Sequence, residues 1–154
     1  MSGAGAPDLS IDATGAKVVI VASSWHDVVM DGLIAGAQAA LAEANVTDVE
    51  LIRAPGSFEL PLICQQVAAD ADAVIALGVI IRGGTPHFEY VSAAATDGLT
   101  RVALDTATPI GFGLLTTDDE QQALDRAGLP DSREDKGREA VEAALGVWDV
   151  LRRR

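Results

Sequence analysis

Residues 73–81 read Ala-Val-Ile-Ala-Leu-Gly-Val-Ile-Ile, a stretch without one charged or hydrogen-bonding side chain. A run this short and this rich in β-branched residues is a strand buried on both faces, as inside a parallel sheet. It is about half the length needed to span a bilayer. Upstream, Lys17–Ser23 (KVVIVAS) and Asp48–Ala54 (DVELIRA) read as two further strands, and downstream a fourth falls near Ile110–Leu115. Helical spacing fills the gaps. From Asp27 to Asn45 the apolar positions Val29, Leu33, Ala37, Ala40, Leu41 and Ala44 share a face. Over Ser57–Asp70 the set is Leu60, Ile63, Cys64 and Val67, with Ser57 as N-cap and Pro61 in the first turn. Further helices are expected from about His87 to Leu104, over Asp119–Ala127 and, after a break at Gly128–Pro130, from about Arg133 to the end. There Arg152, Arg153 and Arg154 complement the negative helix terminus. Buried strands joined by helices demand parallel pairing with right-handed crossovers, hence a three-layer α/β/α sandwich. The small, Gly- and Pro-rich residues 1–12 read as a flexible arm before a single domain, 13–154.

The chain has 154 residues, enough for one domain with a substantial core. Lys and Arg number 11 against 23 Asp and Glu, a formal charge of −12. Such a surface repels phosphate backbones and anionic lipid, so neither nucleic acid nor membrane is an expected partner. An anionic ligand needs a local cluster of donors. One cysteine, Cys64, and two histidines exclude an internal disulfide and a structural zinc site. Met1–Pro7 has neither the basic nor the apolar region of a signal peptide. A soluble, cytoplasmic protein is expected.

In an open parallel sheet, ligands bind beyond the carboxyl ends of the strands. The four strand ends here are Ser23-Ser24-Trp25-His26, Ala54-Pro55-Gly56-Ser57-Phe58-Glu59, Arg82-Gly83-Gly84-Thr85-Pro86-His87 and Thr116-Thr117-Asp118. Polar residues, aromatics and glycines crowd into these segments. Gly83-Gly84-Thr85, between a strand and a helix, can cradle an anion on backbone N–H groups, although an ordinary turn has the same composition. It matches neither a Walker A loop nor a dinucleotide fingerprint. His87 beside that loop is either a proton carrier or a structural cap, and His26 is a weaker candidate of the same kind. Trp25 can stack on a planar ring or simply pack. Glu59 can accept from hydroxyls or complement a helix dipole. Taken alone, Arg126, Lys136 and the run DSREDK (131–136) read as solvated surface charge.

The strings APGSFELP (54–61), GVIIRGGTPHFEYV (78–91), PIGFGLLTT (109–117), ALDRAG (123–128) and DKGREA (135–140) closely resemble the lumazine synthase family, in its order and spacing. The resemblance implies a flavodoxin-like sheet with strand order 2-1-3-4. It also implies the penultimate step of riboflavin biosynthesis. There 5-amino-6-(D-ribitylamino)uracil and 3,4-dihydroxy-2-butanone 4-phosphate condense to 6,7-dimethyl-8-ribityllumazine, phosphate and water, with neither metal nor organic cofactor. On this resemblance Trp25 stacks on the pyrimidine, and Ser57, Phe58 and Glu59 hold the ribityl chain. Val79, Ile80 and Ile81 line the ring pocket, partly through backbone groups. Gly83, Gly84 and Thr85 form the phosphate loop, Arg126 completes it, and His87 shuttles protons. Phe112, Arg126 and Lys136 are expected from a neighbouring subunit, which implies a homopentamer with shared active sites. Gly84 stands where the family usually carries an acidic or amide side chain, leaving backbone N–H groups for the phosphate. His26 receives no role. The segment 129–135 (LPDSRED) is longer and more acidic than the short Gly-rich link of shell-forming members, so a free pentamer is expected. An archaeal-type riboflavin synthase is the alternative of shared fold, but its substrate carries no phosphate. A non-catalytic flavin-binding or scaffold relative is the other.

Overall fold

The computed structural model describes residues 4–7 and 10–154. Its elements run β1 (Lys17–Ser23), α1 (Asp27–Glu43), β2 (Asp48–Ala54), a 3₁₀ turn (Ser57–Glu59), α2 (Leu60–Ala68), β3 (Ala73–Ile81), α3 (His87–Thr106), β4 (Ile110–Thr117), α4 (Glu120–Leu124) and α5 (Lys136–Arg153). All pairings are parallel and the strand order is β2-β1-β3-β4. Alternate residues of β1 and β3 feed two separate cores. Val18, Ile20, Ala22, Ile75 and Leu77 pack with α1 and α5, while Val19, Val21, Val74 and Ala76 pack with α2 and α3. This is the three-layer, flavodoxin-like α/β sandwich.

Parts of the expected arm, residues 1–3, 8 and 9, lie outside the described residues. Next to them, Ile11 packs against the α1/α5 core, and the Asp12 carboxylate accepts from Thr14 N at 3.1 Å and Asn45 Nδ2 at 3.2 Å.

Three local readings are corrected. β2 is a strand, but only Ala54 is fully buried, and Val49 and Leu51 are exposed. It is the edge of the sheet, and α1 and α2 pack over β1 and β3. Ser57 does not cap α2: it opens the 3₁₀ turn, and its buried hydroxyl donates to Val79 O at 3.4 Å. The last helix starts at Lys136 rather than near Arg133, because Asp135 is its N-cap, accepting from Arg138 N at 3.0 Å.

The register fixes where a ligand can enter. β1 accompanies β3 only as far as the Ala22–Leu77 pair, whereas β4 accompanies it to Ile81. Residues 78–81 therefore overrun β1, at the point where the sheet switches the direction in which its strands are added.

Candidate active site

Strand alternation decides what that overrun can offer. Val79 and Ile80 are buried, and their side chains enter opposite cores. Both side chains are thus withdrawn from the edge, where a ligand can meet their backbone groups only. Arg82 N donates to Thr117 O of β4 at 2.9 Å, and Val79 O accepts from Ser57. With a period of two, Val79 and Ile81 thus turn their backbone groups toward the side that β1 has vacated.

The ends of β1 and β2 form one wall of this opening. Ser24 Oγ donates to Ala54 O at 2.8 Å, and Arg53 donates to Ala22 O and Ser23 O at 3.3 and 2.8 Å, so the two strand ends are laced together. His26 holds a left-handed conformation (φ 60°, ψ 71°) immediately before α1. A turn of that kind lets Trp25 project from the sheet edge, where it is 65% exposed. A methyl group at Gly56 would stand 3.2 Å from Trp25 Nε1 and 3.3 Å from Glu59 Oε2. Trp25 and Glu59 therefore converge on the same piece of backbone, and Phe58 beside them is also exposed. An indole face and a carboxylate this close suit a flat ring bearing hydroxyls.

The other wall is the 82–87 loop. Gly83 and Gly84 are exposed, and nothing lies within 4 Å of a Cβ placed on either. Thr85 Oγ1 accepts from His87 N at 3.4 Å, and α3 begins without a side-chain cap. Thr85 Oγ1 and Pro86 O thus take the N–H groups of His87 and Glu89, and an anion at the loop meets the loop's own N–H groups and the α3 dipole. Arg82 anchors the loop: Nε donates to Asp118 Oδ1 at 3.0 Å, Nη1 lies 3.5 Å from Glu89, and the guanidinium covers the Phe88 ring at 4.4 Å. The Asp118 hydrogen bond holds its pKa above the ordinary arginine value.

Arg126 and Lys136 form a separate group. Both flank Glu134, and Lys136 is only 15% exposed, so it is no solvated surface charge. Phe112 is 49% exposed on the open edge of β4, in register with Ala76. That places it about 16 Å down the sheet from Ile81, out of reach of Trp25 in the same chain. It borders a shallow apolar depression with Leu99, Ala103 and Leu104. A second concavity lies beside Ile11, Glu43 and Arg138. Neither of these two concavities includes a residue of the strand ends at 23–26, 56–59 or 82–87. Among the described residues, no group of three or more His, Cys, Asp or Glu side chains could hold a metal ion, and no helix is long and apolar enough to cross a membrane.

Sequence reasoning missed Arg82, Arg53 and Glu134. Arg82 and Arg53 act through partners distant in sequence, and Glu134 stands in a run whose composition reads as solvated charge.

A parallel sheet whose third strand overruns its first, with an aromatic and a carboxylate on one side and a glycine loop at a helix start on the other, defines a flavodoxin-like protein with a candidate small-molecule site at its switch point. The family model for 6,7-dimethyl-8-ribityllumazine synthase matches residues 15–152. The chain is 64% identical over 155 residues to the 6,7-dimethyl-8-ribityllumazine synthase of Leifsonia xyli subsp. xyli, covering 99% of this chain and 98% of the relative. It is 63% identical to that of Clavibacter sepedonicus (99% and 97% covered) and 58% to that of Kineococcus radiotolerans (99% and 95%). The chain belongs to the 6,7-dimethyl-8-ribityllumazine synthase family.

Proposed function

We propose that this chain is the enzyme that condenses 5-amino-6-(D-ribitylamino)uracil with 3,4-dihydroxy-2-butanone 4-phosphate, giving 6,7-dimethyl-8-ribityllumazine, phosphate and water in riboflavin biosynthesis. The match to the family over residues 15–152 carries the reading. The ring amine attacks the ketone to form an imine with loss of water, phosphate leaves by elimination to give an enol that tautomerises to a carbonyl, and the ribitylamino nitrogen closes the second ring on that carbonyl with loss of a second water. These steps need two substrates held together and protons moved, which orientation and one acid–base group can supply.

In this reading the pyrimidine stacks on Trp25 and meets the backbone of Val79 and Ile81 on the side vacated by β1. The ribityl hydroxyls lie along Ser57, Phe58 and Glu59. The phosphate sits on the N–H groups of Gly83, Gly84 and Thr85 at the start of α3, and His87 exchanges protons beside it. Arg126, Lys136 and Phe112 belong to a second copy. Two observations support that division: Trp25 and Phe58 are exposed at the carboxyl edge, and Phe112 is exposed at the wrong level of its own sheet. A head-to-tail contact of this kind closes a ring, and we assign a homopentamer in the cytoplasm. The 129–135 segment, longer than the link of shell-forming members and fixed at Pro130, keeps pentamers apart.

Purified protein given both substrates is expected to produce lumazine fluorescence faster than the spontaneous reaction; a rate equal to the uncatalysed one would refute the assignment. Light scattering is expected to give about 80 kDa, five times 15.9 kDa. A megadalton particle would overturn the role of the 129–135 segment, and a monomer the shared site.

A further inference from the structure

The segment between α4 and α5 has the composition of a solvated loop and the structure of a clamp. Its backbone is joined to the end of α4 by a short antiparallel bridge: Glu134 N donates to Asp125 O, Gly128 N to Glu134 O and Lys136 N to Arg126 O, each at 3.0 Å. Ser132 Oγ accepts from Leu129 N at 2.9 Å and donates to Leu124 O. The bridge turns Glu134 inward, to 17% side-chain exposure, between the two cations of the segment. Glu134 Oε2 lies 3.6 Å from Arg126 Nε, and Oε1 lies 3.6 Å from Lys136 Nζ. Arg126 Nη1 also donates to Gln122 O at 2.8 Å, and Lys136 Nζ donates to Glu139 Oε1 at 3.1 Å.

We propose that Glu134 is a positioning residue that sets the geometry of Arg126 and Lys136 together, so that one carboxylate aligns the cation for the phosphate and the cation for the ring. This rests on the assignment of those two cations to the substrates. Arg and Lys side chains are rich in rotamers, and in a chain of charge −12 they have many surface carboxylates to wander toward. Engaging Nε and Nη1 from behind leaves the remaining N–H groups of the guanidinium fork to face a phosphate.

A purely electrostatic role and a positioning role predict opposite signs. Removing a negative charge beside two cations favours a dianionic ligand, so a Glu134 that only balanced charge would lower the KM for the phosphate substrate when neutralised. A Glu134 that positions the cations would raise it.

The test is steady-state kinetics of the assembled protein with each substrate varied in turn. Glu134→Gln is expected to raise KM for both substrates about three- to ten-fold while kcat stays within about two-fold. Glu134→Asp keeps the charge but withdraws the carboxylate by one methylene, and is expected to raise both KM values by a smaller factor. In an Arg126→Ala background, Glu134→Gln is expected to add nothing to the phosphate-substrate KM. Values at or below the parent's in either single variant, or a fully additive effect in the double variant, overturn the proposal. Arg126→Ala alone separates the two levels: if it leaves the phosphate-substrate KM unchanged, the site assignment itself fails, whatever Glu134 does. Light scattering and melting temperature, both expected at parental values, confirm that the variants assemble.

Discussion

A methyl group on Gly83 or Gly84 would meet no atom within 4 Å, whereas one on Gly36, beneath the 128–135 segment, would run into the Asp135 carboxylate. The two segments are both short polar connections leading into long helices. One is empty on its outer side and leads into a helix without a side-chain cap. The other carries three acidic residues, yet turns Ser132, Glu134 and Asp135 inward onto α4, α1 and the first turn of α5. The difference teaches that charge composition does not tell whether a segment is solvated. It also separates two ways of meeting an anion: the glycine loop offers backbone donors fixed by the helix behind it, and the acidic segment offers long side chains that must themselves be held.

The strongest test of that contrast is Arg126→Ala. A charged donor lost from a phosphate contact costs about 1.5–3 kcal/mol, or roughly 10- to 150-fold in the KM for the phosphate substrate, with the uracil substrate nearly unaffected. Equal weakening of both substrates in steady-state kinetics would indicate a disrupted interface instead. On the loop side, His87→Ala is expected to lower kcat by roughly ten-fold while KM stays similar, and part of the rate survives because the substrates react once positioned. An unchanged kcat would leave His87 as a structural cap.

The glycines sharpen the comparison at the level of the fold. Gly36→Ala pushes on the carboxylate that caps α5, and is expected to cost about 1–3 kcal/mol in chemical unfolding at matched protein concentration. Gly84→Ala, in open space and with an unstrained backbone, is expected to stay within about 0.5 kcal/mol. Similar losses at the two sites would contradict the contrast.

The smallest effect concerns the far end of the clamp, where Arg138 in the first turn of α5 donates to both carboxylate oxygens of Glu43 on α1. The hydrogen bonds and charge of Arg138 hold the Glu43 pKa below its ordinary value of 4.5. The resulting stabilisation is present above that ordinary value and is lost as the pH falls through the lowered folded one. Glu43→Gln is therefore expected to lower the melting temperature slightly at neutral pH and to converge on the parent as the pH falls below the lowered Glu43 pKa. A gap that persists at the acidic end would assign the effect to packing.

The sheet was legible in the sequence because its strands are marked locally. Lys17–Ser23, Asp48–Ala54 and Ala73–Ile81 have the same limits in the structure as their β-branched runs suggest. Helix ends were less legible. Asp135 and Asp119 cap their helices through Arg138 N and Gln122 N, and acidic residues nearby had equal claim to those roles. The edge exposure of β2 was not legible either. Its composition differs little from that of a half-covered strand, and which strand lies outermost depends on the order of all four. At the site, the motifs around Trp25, Glu59 and Gly83–His87 pointed to one edge of the sheet, because parallel topology brings every strand's carboxyl end to the same side.

What the sequence by itself determined, then, is the set of elements, their parallel pairing and the edge on which polar and aromatic residues gather, since each follows from periodicity or from neighbours close along the chain. The tertiary structure alone decided that β3 overruns β1, that Ser57 reaches Val79, and that Glu134 lies between Arg126 and Lys136. Those are matters of register and of backbone bridges between segments, and their energies depend on which groups meet in space, something residue type and local spacing do not encode.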